Sequence, residues 1–298
     1  MANTRKASHA GSWYVSSPKE LDKQLGNWLN NAELSHGPAR AIISPHAGYR
    51  YCGECAAFAY RQISPASVQR IFILGPSHYY RLGGCALSGA KKYSTPLYDL
   101  KIDSQIYSEL EATNKFETIS MDVDEEEHSL EMQIPYIAKV MEDFKNEFTI
   151  VPVMVGSLST GREAEYGRIF APYLADPRNL FVISSDFCHW GDRFRFTYYD
   201  SAYGEIHQSI EALDRKGMDT IETLNPSAFT EYLEQYGNTI CGRHPIGVLL
   251  QAVKHLQTNA VSNGHKLNMK FLKYAQSQRI THKNDSSVSY AAAALVME

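Results

Sequence analysis

Short, unbroken apolar runs alternate along the chain with segments in which apolar residues recur at helical spacing. A short unbroken run that is followed by turn-forming residues is typical of a buried strand in a parallel sheet. The strands that this pattern predicts are 41–44, 71–74, 85–88, 98–102, 148–155, 180–183, 267–275 and 288–296.

Helical periodicity accounts for most of the chain between these strands. The first helix begins at Ser17 and Pro18, because Ser is a favoured N-cap and Pro suits the first helical turn. The other predicted helices are 53–62, 104–112, 129–144 with a kink or a new start at Pro135, 162–174 and several between 198 and 256. Because strands and helices alternate, the sequence predicts an α/β fold, a single-domain three-layer sandwich over residues 1–298 with a largely parallel or mixed central sheet.

Three of the predicted strands lead directly into loops that carry a histidine. These are His46, His78 and His189, each in a loop that contains Gly, Pro or Ser. In an open α/β sheet, the loops beyond the carboxyl ends of parallel strands carry the ligand-binding groups. We therefore expect the three imidazoles to meet at one edge of the sheet. Such a cluster indicates a metal site or an acid/base site, and ordinary loop histidines bonded to backbone carbonyls are the alternative.

Cys241 adds a sulfur donor to this set. It lies just before a helix that is predicted to begin near Pro245, and the N–H groups and positive end of that helix favour a thiolate. Two imidazoles, from His46 and His78, and the Cys241 thiolate form a ligand set that suits iron(II), copper or zinc. A buried, inert thiol is the alternative for Cys241.

Asp186 lies close to His189 in the chain and is a candidate partner for it. A carboxylate beside an imidazole can orient the ring and raise its basicity. The pair makes His189 a candidate general acid/base or a further metal ligand. A polar cap on the strand end is the alternative for both residues.

The acidic run 122–127 is expected to be a solvated loop. Directly after it, His128 and Glu131 share one face of a predicted helix. Their spacing and order differ from those of the HExxH zinc motif. We therefore expect no direct metal binding there. A hydrogen bond to a metal ligand or a contact with a substrate is the alternative function for these residues.

Composition narrows the class of protein. The chain has 298 residues, a net charge of −4 and five cysteines. Mild, mixed acidity argues against a nucleic-acid partner, and the odd number of cysteines fits a reducing compartment. A polar N-terminal segment and the lack of an apolar run of about 20 residues predict a cytoplasmic protein, with the nucleus as a second location. The CxxC pair Cys52 and Cys55 is expected to pack in a helix, with thioredoxin-like exchange as the weaker alternative.

Aromatic and basic residues near the predicted crevice suggest a binding function. Segment 8–14 places Trp13 beside small residues in a loop before the first helix. Such a loop can hold a flat ligand or a peptide tyrosine, and core packing is the alternative for scattered aromatic residues. Arginine suits phosphate contacts because its guanidinium is a rigid fork of donors. The candidates are Arg50, Arg81, Arg193, Arg195 and Arg243.

Six motifs, in order, resemble those of the Memo family, whose name denotes a mediator of receptor-tyrosine-kinase-driven cell motility. They are SHAGSWY at 8–14, PHAGY at 45–49, GPSH at 75–78, EHSLE at 127–131, SSDFCHW at 184–190 and CGRHP at 241–245. The resemblance extends from about residue 7 to residue 296. It implies a fold like that of the class III extradiol (LigB-type) non-haem iron dioxygenases, which hold iron with two His and one Glu and use another His as acid/base.

Carried over by motif, the resemblance places His46 and His78 at the two His ligands and Cys241 at the position of the family's thiolate. His189 is similar to the acid/base histidine, with Asp186 beside it. A Cys in place of the dioxygenase carboxylate is softer and more easily oxidised, which favours copper or redox chemistry over ring cleavage. An active dioxygenase with an unknown substrate stays open as an alternative.

The resemblance also implies a metal-binding signalling and redox regulator, with iron or copper, that acts downstream of receptor tyrosine kinases in cell motility and cytoskeletal control. The implied partners are phosphotyrosine segments of receptor tyrosine kinases or of their adaptors, and cytoskeletal regulators. An adaptor that binds phosphotyrosine peptides in the same crevice without metal chemistry is the alternative. The residues that the resemblance implies for peptide recognition are Trp13, His46, His78, His189 and Cys241.

Overall fold

The computed structural model describes residues 3–259 and 266–297 of the chain. The strands are β1 (Thr4–Arg5), β2 (Ala41–Ser44), β3 (Arg70–Pro76), β4 (Cys85–Ser88), β5 (Lys92–Tyr93), β6 (Leu100–Lys101), β7 (Phe116–Ile119), β8 (Thr149–Val155), β9 (Asn179–Ser184), β10 (His189–Trp190), β11 (Leu267–Gln276) and β12 (Ser287–Met297). The helices are α1 (Pro18–Asn31), α2 (Tyr49–Tyr60), α3 (Ser104–Ala112), α4 (Met121–Glu126), α5 (His128–Glu131), α6 (Ile134–Val140), α7 (Thr160–Ala175), α8 (Ile206–Glu222), α9 (Pro226–Tyr236) and α10 (Arg243–Thr258).

The central sheet contains nine strands in the order β10-β12-β2-β9-β3-β8-β4-β7, with β11 paired to β12. The middle of the sheet is parallel, because β2 pairs with β9, β9 with β3 and β3 with β8 in that sense. Antiparallel pairs, β12 with β2 and β4 with β8, flank this parallel block. The unbroken apolar runs form the buried parallel strands, as their pattern predicts. Strands β1, β5 and β6 form a separate small sheet.

Helices cover this sheet in layers. α2 packs on β2, β11 and β12, and α1 and α6 pack against α2. α7 and α10 pack against each other, and both contact β9. This layered, mixed α/β architecture confirms the predicted fold class. Within residues 3–259 and 266–297, no helix combines the length and the apolar character that a membrane crossing requires.

The predicted helix 129–144 is divided into shorter pieces, and of the two predicted effects of Pro135, a kink or a new start, the structure shows the new start. α5 and α6 are separate, and a 3₁₀ turn follows at Glu142–Phe144. Pro135 lies in the first turn of α6. Proline has no N–H to donate inside a helix but fits the first turn well, so it begins α6 and ends the preceding helix.

The acidic run 122–127 is not the solvated loop that the sequence predicts. Most of it forms α4, and Asp124 and Glu127 are each only 1% exposed. Arg5 neutralises this segment, because its Nε lies 3.1 Å from Oδ1 of Asp124. The Arg5 guanidinium also lies over the ring of Tyr93, 5.0 Å from the ring centroid. Burial by itself lowers the pKa of Arg5, but the surrounding negative charges outweigh burial and raise it. A paired and hydrogen-bonded cation therefore allows the acidic segment to be buried.

Cys52 and Cys55 lie in α2 and are buried. Burial raises the pKa of both thiols above the ordinary value. The thiolate is the reactive form of cysteine, so a raised pKa suppresses disulfide exchange. This environment favours the packing role over a thioredoxin-like function.

We expect Gly156→Ala to destabilise the fold strongly. Gly156 follows β8, and its N–H donates a hydrogen bond to Gly84 O at 2.8 Å. A Cβ at Gly156 would lie 2.0 Å from Leu82 O, so backbone would have to move. The free energy of unfolding should fall by about 1–3 kcal/mol or more, measured by denaturant titration.

Gly83→Ala is the matched control, because a Cβ there meets no heavy atom within 4 Å. Its free energy of unfolding should stay within about 0.5 kcal/mol of the unsubstituted protein. Equal stability of the two variants would contradict the close backbone approach at Gly156.

Candidate metal centre

The loops that carry His46 and His78 leave two parallel strands, β2 and β3, at the same edge of the sheet. β9 lies between β2 and β3, and Ser44 at the end of β2 is level with Ser184 at the end of β9. The loops beyond these strand ends bring His46 and His78 together, with their ring centroids 5.1 Å apart. Two of the three histidines singled out in the sequence therefore meet directly.

His46 is buried, and its hydrogen bonds select one tautomer. Its Nδ1 lies 2.8 Å from Ser184 Oγ, and Ser184 donates its only hydroxyl hydrogen to Ser129 O. Nδ1 of His46 must therefore donate to Ser184, which leaves the lone pair of Nε2 free. Burial first, and then the neighbouring imidazoles, lower the pKa of His46 well below its ordinary value. A neutral imidazole held in this way is the form that binds metal ions.

The carboxylate of Glu127 fixes His78. It accepts hydrogen bonds from Nδ1 of His78 at 2.8 Å and from the His78 backbone N–H at 2.6 Å. Burial alone lowers the pKa of His78, but its interactions with Cys241 and Glu127 outweigh burial and raise the pKa to about 10. Burial raises the pKa of Glu127, but the same pairing dominates and lowers it to about 2. A metal ion has to displace the proton on Nε2, while Nδ1 keeps its bond to the carboxylate.

His128 lies in the same cluster, although the sequence predicts no direct metal binding in that segment. Its ring stacks on the ring of His78 at 4.3 Å and lies 5.3 Å from the ring of His46. One nitrogen of each of these three histidines lies within 4.8 Å of the others, so the three can hold a metal ion. The EHSLE motif at 127–131 contained the information that could have predicted this. Glu127 hydrogen-bonds His78, and this contact places the next residue, His128, in the cluster.

The thiol of Cys241 lies beside His46. Its Sγ is 3.2 Å from Nε2 of His46 and accepts the backbone N–H of Asp186 at 3.3 Å. The sequence predicts a thiolate, but burial raises the pKa of Cys241 and outweighs the opposing interaction with His78. The metal-free thiol is therefore protonated at neutral pH, contrary to that prediction. Coordination to a metal ion would deprotonate it, because the thiolate is the ligating form.

Asp186 and His189 do not form the hydrogen-bonded pair that the sequence suggests. Nδ1 of His189 donates to the carbonyl oxygens of Phe187 and Thr239, at 2.9 and 3.0 Å. Asp186 instead accepts the backbone N–H of His46 at 2.8 Å, and its second oxygen lies 4.0 Å from Nε2 of His46. The backbone therefore orients His189, while Asp186 borders the candidate metal centre. Both residues line the same crevice.

This crevice has a volume of about 970 Å³ and opens onto the histidine cluster. Trp13 forms part of its wall, with its ring 4.4 Å from that of His128. Arg50 and Arg193 line it as well, and each guanidinium lies over a neighbouring aromatic ring. Among the described residues, the lining does not include the other arginines proposed from the sequence, Arg81, Arg195 and Arg243.

Asp214 on α8 ties together the loop after β9 and the loop before α10. Its Oδ1 accepts hydrogen bonds from the Cys188 N–H at 3.2 Å and from Nδ2 of Asn238 at 2.9 Å. Its Oδ2 accepts the hydroxyl of Tyr274 at 2.8 Å. Burial raises the pKa of Asp214 to about 6, although these hydrogen bonds oppose the shift.

The residues present fit a transition metal. Imidazole and thiol donors suit iron, copper or zinc, whereas magnesium and calcium prefer oxygen ligands. His46 and His78 each use Nδ1 for a hydrogen bond, which is the usual arrangement of a metal-binding histidine. Nδ1 of His128 is buried without a hydrogen-bond partner among the described residues, a costly arrangement unless a further group satisfies the ring.

Comparisons with known proteins agree over nearly the whole chain. A family model described as Memo-like protein matches residues 5–294. Protein MEMO1 from Danio rerio and from Homo sapiens are each 58% identical over 293 residues, which cover 98% of this chain and 97% of theirs. Protein memo-1 homolog from Caenorhabditis elegans is 53% identical over 294 residues, which cover 98% of this chain and 83% of that protein. A crystal structure of an uncharacterized protein from Escherichia coli K12 aligns with a TM-score of 0.47 and 13% identity, over 84% of this chain and 98% of that one.

We expect Asp214→Asn to remove a pH-dependent loss of stability. The pKa of Asp214 is about 6 in the folded chain and its ordinary value is 3.8. Between these values the folded state binds more protons than the unfolded state, so the free energy of unfolding falls as pH rises through this window. The loss attributable to Asp214 approaches about 3 kcal/mol above the window.

Denaturant titrations between about pH 4 and pH 7 measure this effect. The free energy of unfolding should decrease less steeply with pH in Asp214→Asn than in the unsubstituted protein. Identical slopes would show that Asp214 titrates normally in the folded chain.

Proposed function

Because the chain belongs to the Memo family, we propose that it binds iron or copper and acts as a signalling and redox regulator downstream of receptor tyrosine kinases. In this proposal it acts in the cytoplasm, with access to the nucleus, on cell motility and the cytoskeleton. One observation carries the metal-binding part: Sγ of Cys241 lies 3.2 Å from Nε2 of His46, whose ring is 5.1 Å from that of His78. Two imidazoles and a thiol at one point are a donor set for a single ion.

Bound iron or copper would supply redox chemistry at the end of the crevice. The chain's own residues hold the ligands in the required orientation, since Ser184 and Glu127 keep a proton on Nδ1 of His46 and His78. Asp186 and His189 border the same space without being committed to each other. They are therefore free to orient a molecule in the crevice and to exchange protons with it.

We expect His46→Ala and Cys241→Ser to lose most of the bound metal. Each substitution removes one proposed donor, so metal affinity should fall at least about 10–100-fold. The measurement is the metal content per chain after purification without chelator, followed by titration with iron(II) and copper. His255→Ala is a control, because that imidazole lies at the end of α10 and hydrogen-bonds Asn259. Unchanged metal content in both site variants would refute the proposed donor set.

A second function, binding of phosphotyrosine segments from receptor kinases or their adaptors, is supported by the crevice itself. Its walls include the rings of Trp13, Tyr51 and Phe194. Arg50 and Arg193 lie on the same surface, and neither forms an ion pair with a described residue. Aromatic walls with uncompensated guanidinium groups are suited to a phosphorylated ring. Cytoskeletal regulators are the proposed downstream partners.

We expect a phosphotyrosine peptide to bind more tightly than its unphosphorylated counterpart, and to bind equally well after metal is removed with a chelator. Trp13→Ala and Arg193→Gln should each weaken binding about 10-fold, because one removes a wall and the other a charged hydrogen bond. Calorimetry measures both effects. Arg168→Gln is the matched control, since Arg168 is exposed on α7 and does not line the crevice. Equal affinity for the two peptides would exclude this function.

A further inference from the structure

His128 is enclosed between two aromatic rings. The ring of His78 stacks on it at 4.3 Å and 25°, and the ring of Trp13 lies at 4.4 Å and 32°. Stacked rings at such short distances occupy the two faces of the imidazole. His128 is consequently only 7% exposed. Its edge, which carries the two nitrogens, is the part of the ring left for polar contacts.

That polar edge lacks a partner within the described chain. Nδ1 of His128 is buried and makes no hydrogen bond. The nearest carboxylate oxygen, Oε1 of Glu127, is 3.6 Å away and already accepts hydrogen bonds from Nδ1 of His78 and the N–H of Ser129. The ring of His128 therefore has a buried nitrogen without a hydrogen-bond partner, beside the imidazoles of His46 and His78.

Charged residues hold the rings of Trp13 and His128 in contact. Glu131 accepts hydrogen bonds from Arg5 at 2.6 Å and from Nδ1 of His9 at 2.8 Å. These contacts fix the segment that carries Trp13, and so press the Trp13 ring against His128. A donor whose surroundings are set before an ion arrives loses little entropy when it binds.

We propose that His128 is a fourth ligand of the ion bound by His46, His78 and Cys241. This inference rests on the proposed metal-binding function and adds a donor that the dioxygenase pattern of two His and one Glu does not contain. The three imidazoles already have donor atoms within 4.8 Å of one another. A tetrahedral ion with ligands at about 2.0–2.3 Å holds them about 3.3–3.8 Å apart, so the three imidazoles have to move closer together on the order of 1 Å to share one ion. Sγ of Cys241 already lies 3.2 Å from Nε2 of His46.

A fourth protein ligand changes what the centre can do. Metal sites that keep three protein ligands leave a position for water or substrate, whereas four protein ligands close a tetrahedral ion. His128 therefore occupies the position through which a small molecule would otherwise reach the ion. The centre is then a retained, shielded ion.

Cobalt(II) titration of the purified full chain tests this role, because four-coordinate cobalt absorbs visible light much more strongly than cobalt whose coordination expands to five or six by binding water. His128→Phe keeps a stacked ring between Trp13 and His78 but removes both nitrogens. We expect this variant to bind cobalt(II) at least about 10-fold more weakly and to lose most of the visible absorption. His128→Cys restores a donor and should recover tight binding. His255→Phe, a surface substitution, should match the unsubstituted protein.

The outcomes separate this proposal from the metal-binding function on which it rests. If His46→Ala abolishes cobalt binding but His128→Phe, with an unchanged thermal midpoint, keeps the same affinity and spectrum, the fourth-ligand role is wrong and the metal site stands. If the unsubstituted chain binds no cobalt(II), iron(II) or copper, both proposals fall. Should His128→Phe not fold, the comparison of His128→Cys with the unsubstituted protein decides, because a sulfur donor adds a second thiolate-to-cobalt absorption band only when residue 128 is a ligand.

Discussion

The parallel pairing of β9 with β2 on one side and β3 on the other is the constraint on which the centre depends. This pairing sets Ser184 level with Ser44, so the loop after β2 turns back over the end of β9 and His46 reaches the Ser184 hydroxyl. Side chains alternate between the two faces of a strand, and a slip of one residue would send the Ser184 hydroxyl to the opposite face. The tautomer of His46 is thus a consequence of strand register.

Local sequence patterns predict those features that depend on near neighbours. Unbroken apolar runs identify the buried strands, and the histidine at the end of a run identifies His46 and His78, because a strand end implies a sheet edge. Burial of Asp124 could not be found in this way, since its partner Arg5 lies far away in the chain and its own neighbours are acidic. His128 was missed for a related reason: its place depends on the contact between Glu127 and a loop from another strand.

Proton occupancy and metal occupancy are linked at this centre. Without an ion, the interactions with Cys241 and Glu127 keep His78 protonated, and burial keeps the Cys241 thiol protonated. Both protons must leave when these atoms coordinate a metal, so ions and protons compete for the same two positions. The neutral imidazoles of His46 and His128 carry no such competitor. The cluster therefore combines two donors that are already deprotonated at neutral pH, His46 and His128, with two that a metal ion has to deprotonate, His78 and Cys241.

The crevice draws its walls from segments that are far apart along the chain, including Trp13 before α1 and Tyr290 in β12. β12 also pairs with β2, the strand that leads to His46. During synthesis on the ribosome, the amino-terminal half emerges before β12 has been translated. The crevice consequently cannot form until translation has passed β12, so an ion bound at the proposed centre within the finished crevice would come from the pool of ions or carriers that meets the completed polypeptide.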